Sequence, residues 1–261
     1  MKRTKTWLFV LSVVIIAVVL YIVSRNVDDE RRLYRLADKQ GLILDRRILK
    51  KVVKYDIVRC DIPSGVEEIG GKDMFGHFPA FSGCRKLQQV FIPETVKVIA
   101  EKSFYNCVKL ETVKFSEGLK EIHLSAFAGC RNLHNAVIPA SVENISEGAF
   151  KEVSALGLAE GSKYFRMDEA GALINTVDGT LIFFPTSFAG EYILPDDVRR
   201  IGKYAFYNCD GLTGVEIHDR VGVIGEFAFA GCSGLSEVVI PGQSMVDGSA
   251  FTQTSCVVTR R

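Results

Sequence analysis

Thiols and imidazoles are the side chains through which this chain would most readily do chemistry, and it has seven cysteines and four histidines. Cysteines can pair as disulfides, hold zinc as thiolates, or attack a substrate when a base activates them. Cys84, Cys107 and Cys130 stand 23 residues apart, as do Cys209 and Cys232, and Cys256 lies one residue past the next mark. Zinc ligands cluster on short spacings, and no Cys-x-x-Cys occurs. A catalytic triad needs a nucleophile, a base and an orienting group that converge. Asp73 and His77 are close enough to meet in one loop, but no activated serine or cysteine accompanies them, and His123, His134 and His218 are scattered. Phosphate-binding loops, His-Glu-x-x-His and dinucleotide fingerprints are missing. The expectation is a protein with no catalytic residue, no metal and no cofactor.

The same ruler runs through residues with no chemistry of their own. Ala-Phe or Ser-Phe precedes each of the five strictly spaced cysteines, and Leu, an apolar residue and often Ile-Pro follow. A fixed period of this length, with apolar residues at set places, predicts a solenoid whose coils bury their faces against one another. In each coil, residues such as Leu110, Val113 and Phe115 predict a short parallel strand with Thr112 and Lys114 outward. Pairs such as Val96/Ile99, Val198/Ile201 and Val221/Ile224 predict a second strand. The Ala-Phe stretch is read as one or two helical turns held by packing. The fold class is thus a right-handed superhelix of coils made from short parallel strands and short helical turns.

Stacking at the inter-strand spacing of about 4.8 Å turns equivalent residues into columns. Phe81, Phe104, Phe127, Phe206 and Phe229 form one, and Cys84, Cys107, Cys130, Cys209 and Cys232 another. Parallel Cα–Cβ vectors would keep neighbouring Cβ atoms near ~4.8 Å, wider than the ~3.8 Å of a disulfide. Each thiol is therefore expected to be a small buried hydrophobe that donates weakly to a turn carbonyl. Cys60 falls at an inward position equivalent to Val90.

Two hairpins punctuate the repeat. One, at 41–61, is expected to cap the first coil. The other interrupts the solenoid (62–261) at about 151–193, where apolar strands flank Asp178-Gly179, a signal for a type I′ turn. Residues 1–25 form a separate object: Lys2, Arg3 and Lys5 precede an uncharged apolar run from Trp7 to Val23. As a helix that run is roughly 26 Å long, close to a ~30 Å hydrocarbon core. It is read as a retained anchor with the N-terminus cytoplasmic and the body exported; cleavage as a signal peptide is the alternative. Residues 26–40 read as a charged stalk.

Leu194-Pro195, Val198, Ile201, Ala205, Phe206, Cys209, Leu212 and Val215 resemble the unit of the BspA-like leucine-rich repeat family, as does the interposed hairpin. The resemblance spans about residues 41–261. It implies a surface or secreted protein, adhesin-like, that binds another protein or the matrix of a host or partner cell. With 32 Lys and Arg against 31 Asp and Glu, no global field favours nucleic acid.

If the protein binds a macromolecule, the outward strand positions form the natural surface. Phe91, Lys114, Val137, Glu216 and Val239 are the candidates there, and Phe75, His77 and Phe78 form a second group in a seven-residue insertion in the first coil. The alternative function is an assembly component of the envelope that uses the solenoid as a spacer or an oligomerisation surface.

Overall fold

The computed structural model describes residues 39, 41–45, 47–73, 76, 77 and 79–261. The N-terminal apolar run lies outside these residues, as does the stalk except for Lys39. Among the described residues no helix is long and apolar enough to cross a membrane.

Each regular coil contributes one strand to a front sheet and a two-residue strand to a side sheet. The front strands of the first run are Arg59–Asp61, Gln89–Ile92, Thr112–Phe115, Asn135–Ile138 and Gly157–Leu158. Those of the second run are Gly190–Ile193, Leu212–Glu216, Glu237–Ile240 and Val257–Arg260. All pair in parallel with their sequence neighbours within a run, and Val90 stands against Val113 and Cys60 against Val90. Ile99, Ile122 and Ile145 align likewise in the side sheet. The alternation of buried Val113 with exposed Lys114 is what a half-buried strand requires.

The Ala-Phe stretch is not helical, and no described residue from Gly41 onward is. The N–H groups of Phe104 and Asn106 donate to the carbonyls of Ala126 and Ala128 in the next coil, at 2.8 and 2.9 Å. Between them, the N–H groups of Tyr105 and Cys107 donate three residues back, to Lys102 and Phe104. Lys102 and Asn106 have φ of 58° and 56°, and Ser125 and Gly129 repeat this one coil later. A helix would turn all four donors inward. Left-handed residues four apart break the helical path and leave every second donor free to tie coil to coil, which makes a third ladder.

The Leu42–Asp45 and Ile48–Val52 strands form the antiparallel hairpin at one end of the side sheet, and Leu49 pairs in parallel with Ile69. The interposed segment is a three-stranded meander of Phe165–Met167, Leu173–Asn175 and Thr180–Phe183, whose last strand pairs in parallel with Arg200–Ile201. Its turn is not type I′. Only Gly179 has positive φ (69°), and its N–H bonds to Asn175 O four residues back, whereas type I′ needs positive φ at both central residues. Thr180 to Phe183 are all buried, so this strand is a wall shared by two core clusters, with Phe183 in one and Leu181 and Phe184 in the other.

Beyond the meander the coils resume on the earlier stack. Thr186 N donates to Val153 O and Ser187 N to Ser154 O, at 3.2 and 3.3 Å. These bonds tie the segment ahead of Gly190–Ile193 to the segment ahead of Gly157–Leu158, while the two front strands themselves are unpaired and belong to separate sheets. At the same joint the Glu147 carboxylate accepts from Lys203 N at 2.6 Å, and Glu152 accepts from Asn208 at 2.8 Å. The Lys151 ammonium lies 4.5 Å from the ring centroids of both Tyr204 and Tyr207.

Candidate interaction surface

Two internal files hold the front face in place. Phe81, Phe104, Phe127 and Phe150 stack at 4.7, 4.9 and 5.4 Å, nearly parallel. Phe206 stacks on Phe229 at 4.7 Å, and Phe229 on Phe251 at 5.1 Å. Phe150 and Phe251 belong to the file although no strictly spaced cysteine follows them. Beside the rings, Cys107 Sγ donates to Phe81 O, Cys130 to Phe104 O and Cys232 to Phe206 O, at 3.1, 3.1 and 2.8 Å. None of the seven cysteines is in a disulfide. Burial pushes the Cys60, Cys84 and Cys232 thiols up to about 12, and Cys209 rises by the same cause. Cys107 rises through its contact with the Cys130 thiol and through burial. Such thiols are poor nucleophiles, because the thiolate is the reactive form.

The histidines do not converge. His123 Nε2 meets Glu121 at 2.8 Å, His134 Nδ1 meets Asn132 O at 2.6 Å, and His218 Nε2 meets Pro195 O at 3.0 Å. In the insertion, Lys72 pairs with His77 and Asp73 with Gly76 in a short ladder; Phe75 and Phe78 lie outside the described residues. Among the described residues no three His, Cys, Asp or Glu groups are placed to hold a metal ion.

The outward side chains of the front strands form two rows. In the first run, the partly exposed Phe91 ring has Arg59 on one side and Lys114 on the other, 4.7 and 4.8 Å from its centroid. Such cation–π contacts stabilise by roughly 0.5–1 kcal/mol each at exposed sites. Val137 follows and is 52% exposed, and next to it stands Gly157. In the second run, Ile193 pairs with Glu216 and Glu191 with Gly214, which in turn pairs with Glu237. Gly214 has no side chain, so it leaves the floor of an open depression of about 460 Å³ walled by Glu191, Ile193, Glu216, Glu237, Val239 and Arg261. Three carboxylates against one guanidinium make it anionic.

The structure thus brings Phe91, Lys114 and Val137 together in one run and Glu216 and Val239 in the other. Ile193, 71% exposed, and Glu191 are surface residues that the spacing did not reveal. A register irregularity between Gly190 and Glu191 and the preceding meander break the period there; counting back from Leu194-Pro195 would have found them.

Residues 54–166 and 179–259 match the BspA type leucine rich repeat region in six copies. The chain belongs to this family. Among solved structures, the BspA-type fold is shared with the pneumococcal vaccine antigen PcpA, at 24% identity and a TM-score of 0.61 over 72% of this chain. A leucine-rich repeat protein from Eubacterium ventriosum is similar at 19% identity and a TM-score of 0.61 over 82% of this chain. This chain spans 51% of the former and 66% of the latter. None of the curated proteins matches it in sequence. Leucine-rich repeat solenoids of this kind generally bind proteins through their extended faces.

Proposed function

We propose that this BspA-type protein is a non-catalytic, adhesin-like binding protein whose front sheet engages a protein on another cell or in its matrix. The observation that carries the reading is the pair of exposed apolar residues Ile193 and Val239, set among Glu191, Glu216 and Glu237 on the outward side of the second run. Exposed apolar residues rimmed by charge around an open depression are the kind of surface that interaction sites use. Membrane anchoring through residues 1–25, with the body exported, is part of the proposal and rests on the basic flank and apolar run of the N-terminus.

Two measurements test it. Protease added to intact cells should remove the solenoid, and the chain from untreated cells should have its full unprocessed mass; a protected body sinks the export reading. Cells that display the full chain should adhere to partner cells, and a Val137→Asp/Val239→Asp variant with unchanged thermal unfolding and surface level should not. Equal adherence by the variant removes the front sheet from the proposal.

A further inference from the structure

The N-terminal end of the solenoid combines a charge surplus with exposed apolar side chains. Residues 39–59 hold seven Lys and Arg against two Asp, a surplus of five in a chain whose net charge is +1. Ile43, Val53, Tyr55 and Val58 are each 45–52% exposed, and no other stretch of sixteen described residues holds as many exposed large apolar side chains. Register places several of these groups on one face. Leu42 pairs with Val52 and both are buried, so Ile43 and its partner Lys51 point outward. Val53 does the same, and its N–H donates to Gly41 O at 2.9 Å. Beside them the Lys54 stem crosses Gly41, 2.8 Å from where a Cβ would stand, and its ammonium donates to Lys39 O at 3.2 Å.

We propose that this face lies on the anionic headgroups of the membrane that anchors the chain, with Lys51 and Lys54 against lipid phosphates and Ile43, Val53 and Tyr55 at the acyl boundary. Basic and apolar groups together hold an interfacial element to an anionic bilayer, because electrostatic attraction adds to the apolar area withdrawn from water. Tyrosine suits the headgroup level, since its ring is apolar and its hydroxyl polar. The neighbouring cations are engaged within the fold: Arg47 pairs with Glu67 at 2.6 Å and Lys50 with Asp45 at 2.7 Å. Lys51 and Lys54 have no carboxylate partner among the described residues.

The tether points the same way. Fifteen residues, 26–40, separate the anchor from the hairpin, a span of roughly 22 Å if helical and about 50 Å if extended, so the end coil stays within reach of the bilayer surface. Edge protection accounts for lysines on an outermost strand. It accounts neither for Lys51, which lies on the inner strand of the hairpin, nor for the apolar side chains left exposed around it. An acidic protein would match the lysines equally well, but only the bilayer is held beside this end by the chain itself.

The inference rests on the membrane anchoring in the proposed function, and the two can fail separately. Trp7 is the chain's single tryptophan. The full chain is placed in nanodiscs of lipids with brominated acyl chains, either phosphatidylcholine alone or phosphatidylcholine with phosphatidylglycerol. Trp7 fluorescence in wild type reports the anchor, and in Trp7→Phe/Tyr55→Trp the introduced indole reports the end coil. Trp7 should be quenched in both lipids. The introduced indole should be quenched at least about twofold more in the anionic discs, and salt at about 0.5 M, or the further change Lys51→Glu/Lys54→Glu, should remove the difference. The salt arm needs no charge variant, so it reads even where charge reversal unfolds the chain. An introduced indole that is unquenched in anionic discs overturns the inference, as does equal quenching in the two lipids or quenching that survives charge reversal in a folded variant. If Trp7 alone is quenched, anchoring stands and the docking is wrong; if the introduced indole alone is quenched, the reverse holds. Cell adherence lost in Lys51→Glu/Lys54→Glu, with no quenching by lipid, would assign this face to a partner protein and overturn the inference too.

Discussion

The Cys107 thiol donates to the Phe81 carbonyl of the preceding coil at 3.1 Å, and Cys130 repeats the bond to Phe104 one coil later. Phe81 O already accepts from Cys84 N at 3.0 Å, so the thiol supplies its second partner. Cys107→Ala removes that bond and leaves a small void in a fully buried site. The expected loss is about 1–2 kcal/mol, read as a lower urea midpoint with an unchanged slope. A midpoint equal to wild type would mean that the cysteine file contributes no stability.

The phenylalanine file predicts a gradient of costs. Phe127 has rings stacked on both sides, at 4.9 and 5.4 Å, whereas Phe251 is half-buried and stacks only on Phe229 among the described residues. Phe127→Ala should lower stability by about 3–5 kcal/mol. Phe251→Ala should cost roughly half as much, since its half-buried ring has one stacked neighbour to lose. Equal losses would contradict a stack built from nearest-neighbour contacts.

Protonated thiols set an alkaline limit. Burial raises Cys232 from 9.0 to about 12. The folded state therefore keeps the proton longer than the unfolded chain. Stability from this group is whole below pH 9, the unfolded value, and declines as pH climbs toward 12, by up to ~1.4 kcal/mol per pH unit. Urea unfolding at pH 8, 9 and 10 should fall more steeply for wild type than for Cys232→Ala. Parallel lines would show that this thiol does not titrate differently on folding. Within the native state, half-buried Cys256 should be alkylated before the six buried cysteines.

The period made the architecture legible, because Cys, Phe, Val and Ile recur wherever a coil meets its neighbours. Register followed with it: Cys60 stands on Val90, and Lys114 lies outward, as the alternation requires. The conformation of the Ala-Phe stretch was not legible. Lys102 and Ser125 carry no sign of left-handed backbone, and what holds them there is a ladder to the next coil that no local propensity encodes. The same limit applies to Asp178-Gly179, where the paired strands, rather than the dipeptide, determine the turn. On the candidate surface, Phe91, Lys114, Val137, Glu216 and Val239 were readable from spacing. Ile193 was not, since the meander shifts the count just ahead of it.

The joint between the two runs decides whether the solenoid unfolds as one unit. Glu147 accepts from the Lys203 N–H and pairs with Arg200 at 3.1 Å, and Glu152 bonds Asn208 and pairs with Arg131 at 2.6 Å. Gly148 lies beneath the Tyr204 ring, where an added Cβ would come within 2.9 Å of the ring, so the close approach depends on a residue without one. Repeat arrays unfold together only while nearest-neighbour coupling exceeds the difference in stability between segments. Glu147→Ala/Glu152→Ala weakens that coupling without touching either internal file. Wild type should give one cooperative urea transition, and the double variant a broader or biphasic one with a reduced apparent slope. A single transition of unchanged slope would mean that the shared strand Thr180–Phe183, buried on both faces, couples the runs without help from the polar joint.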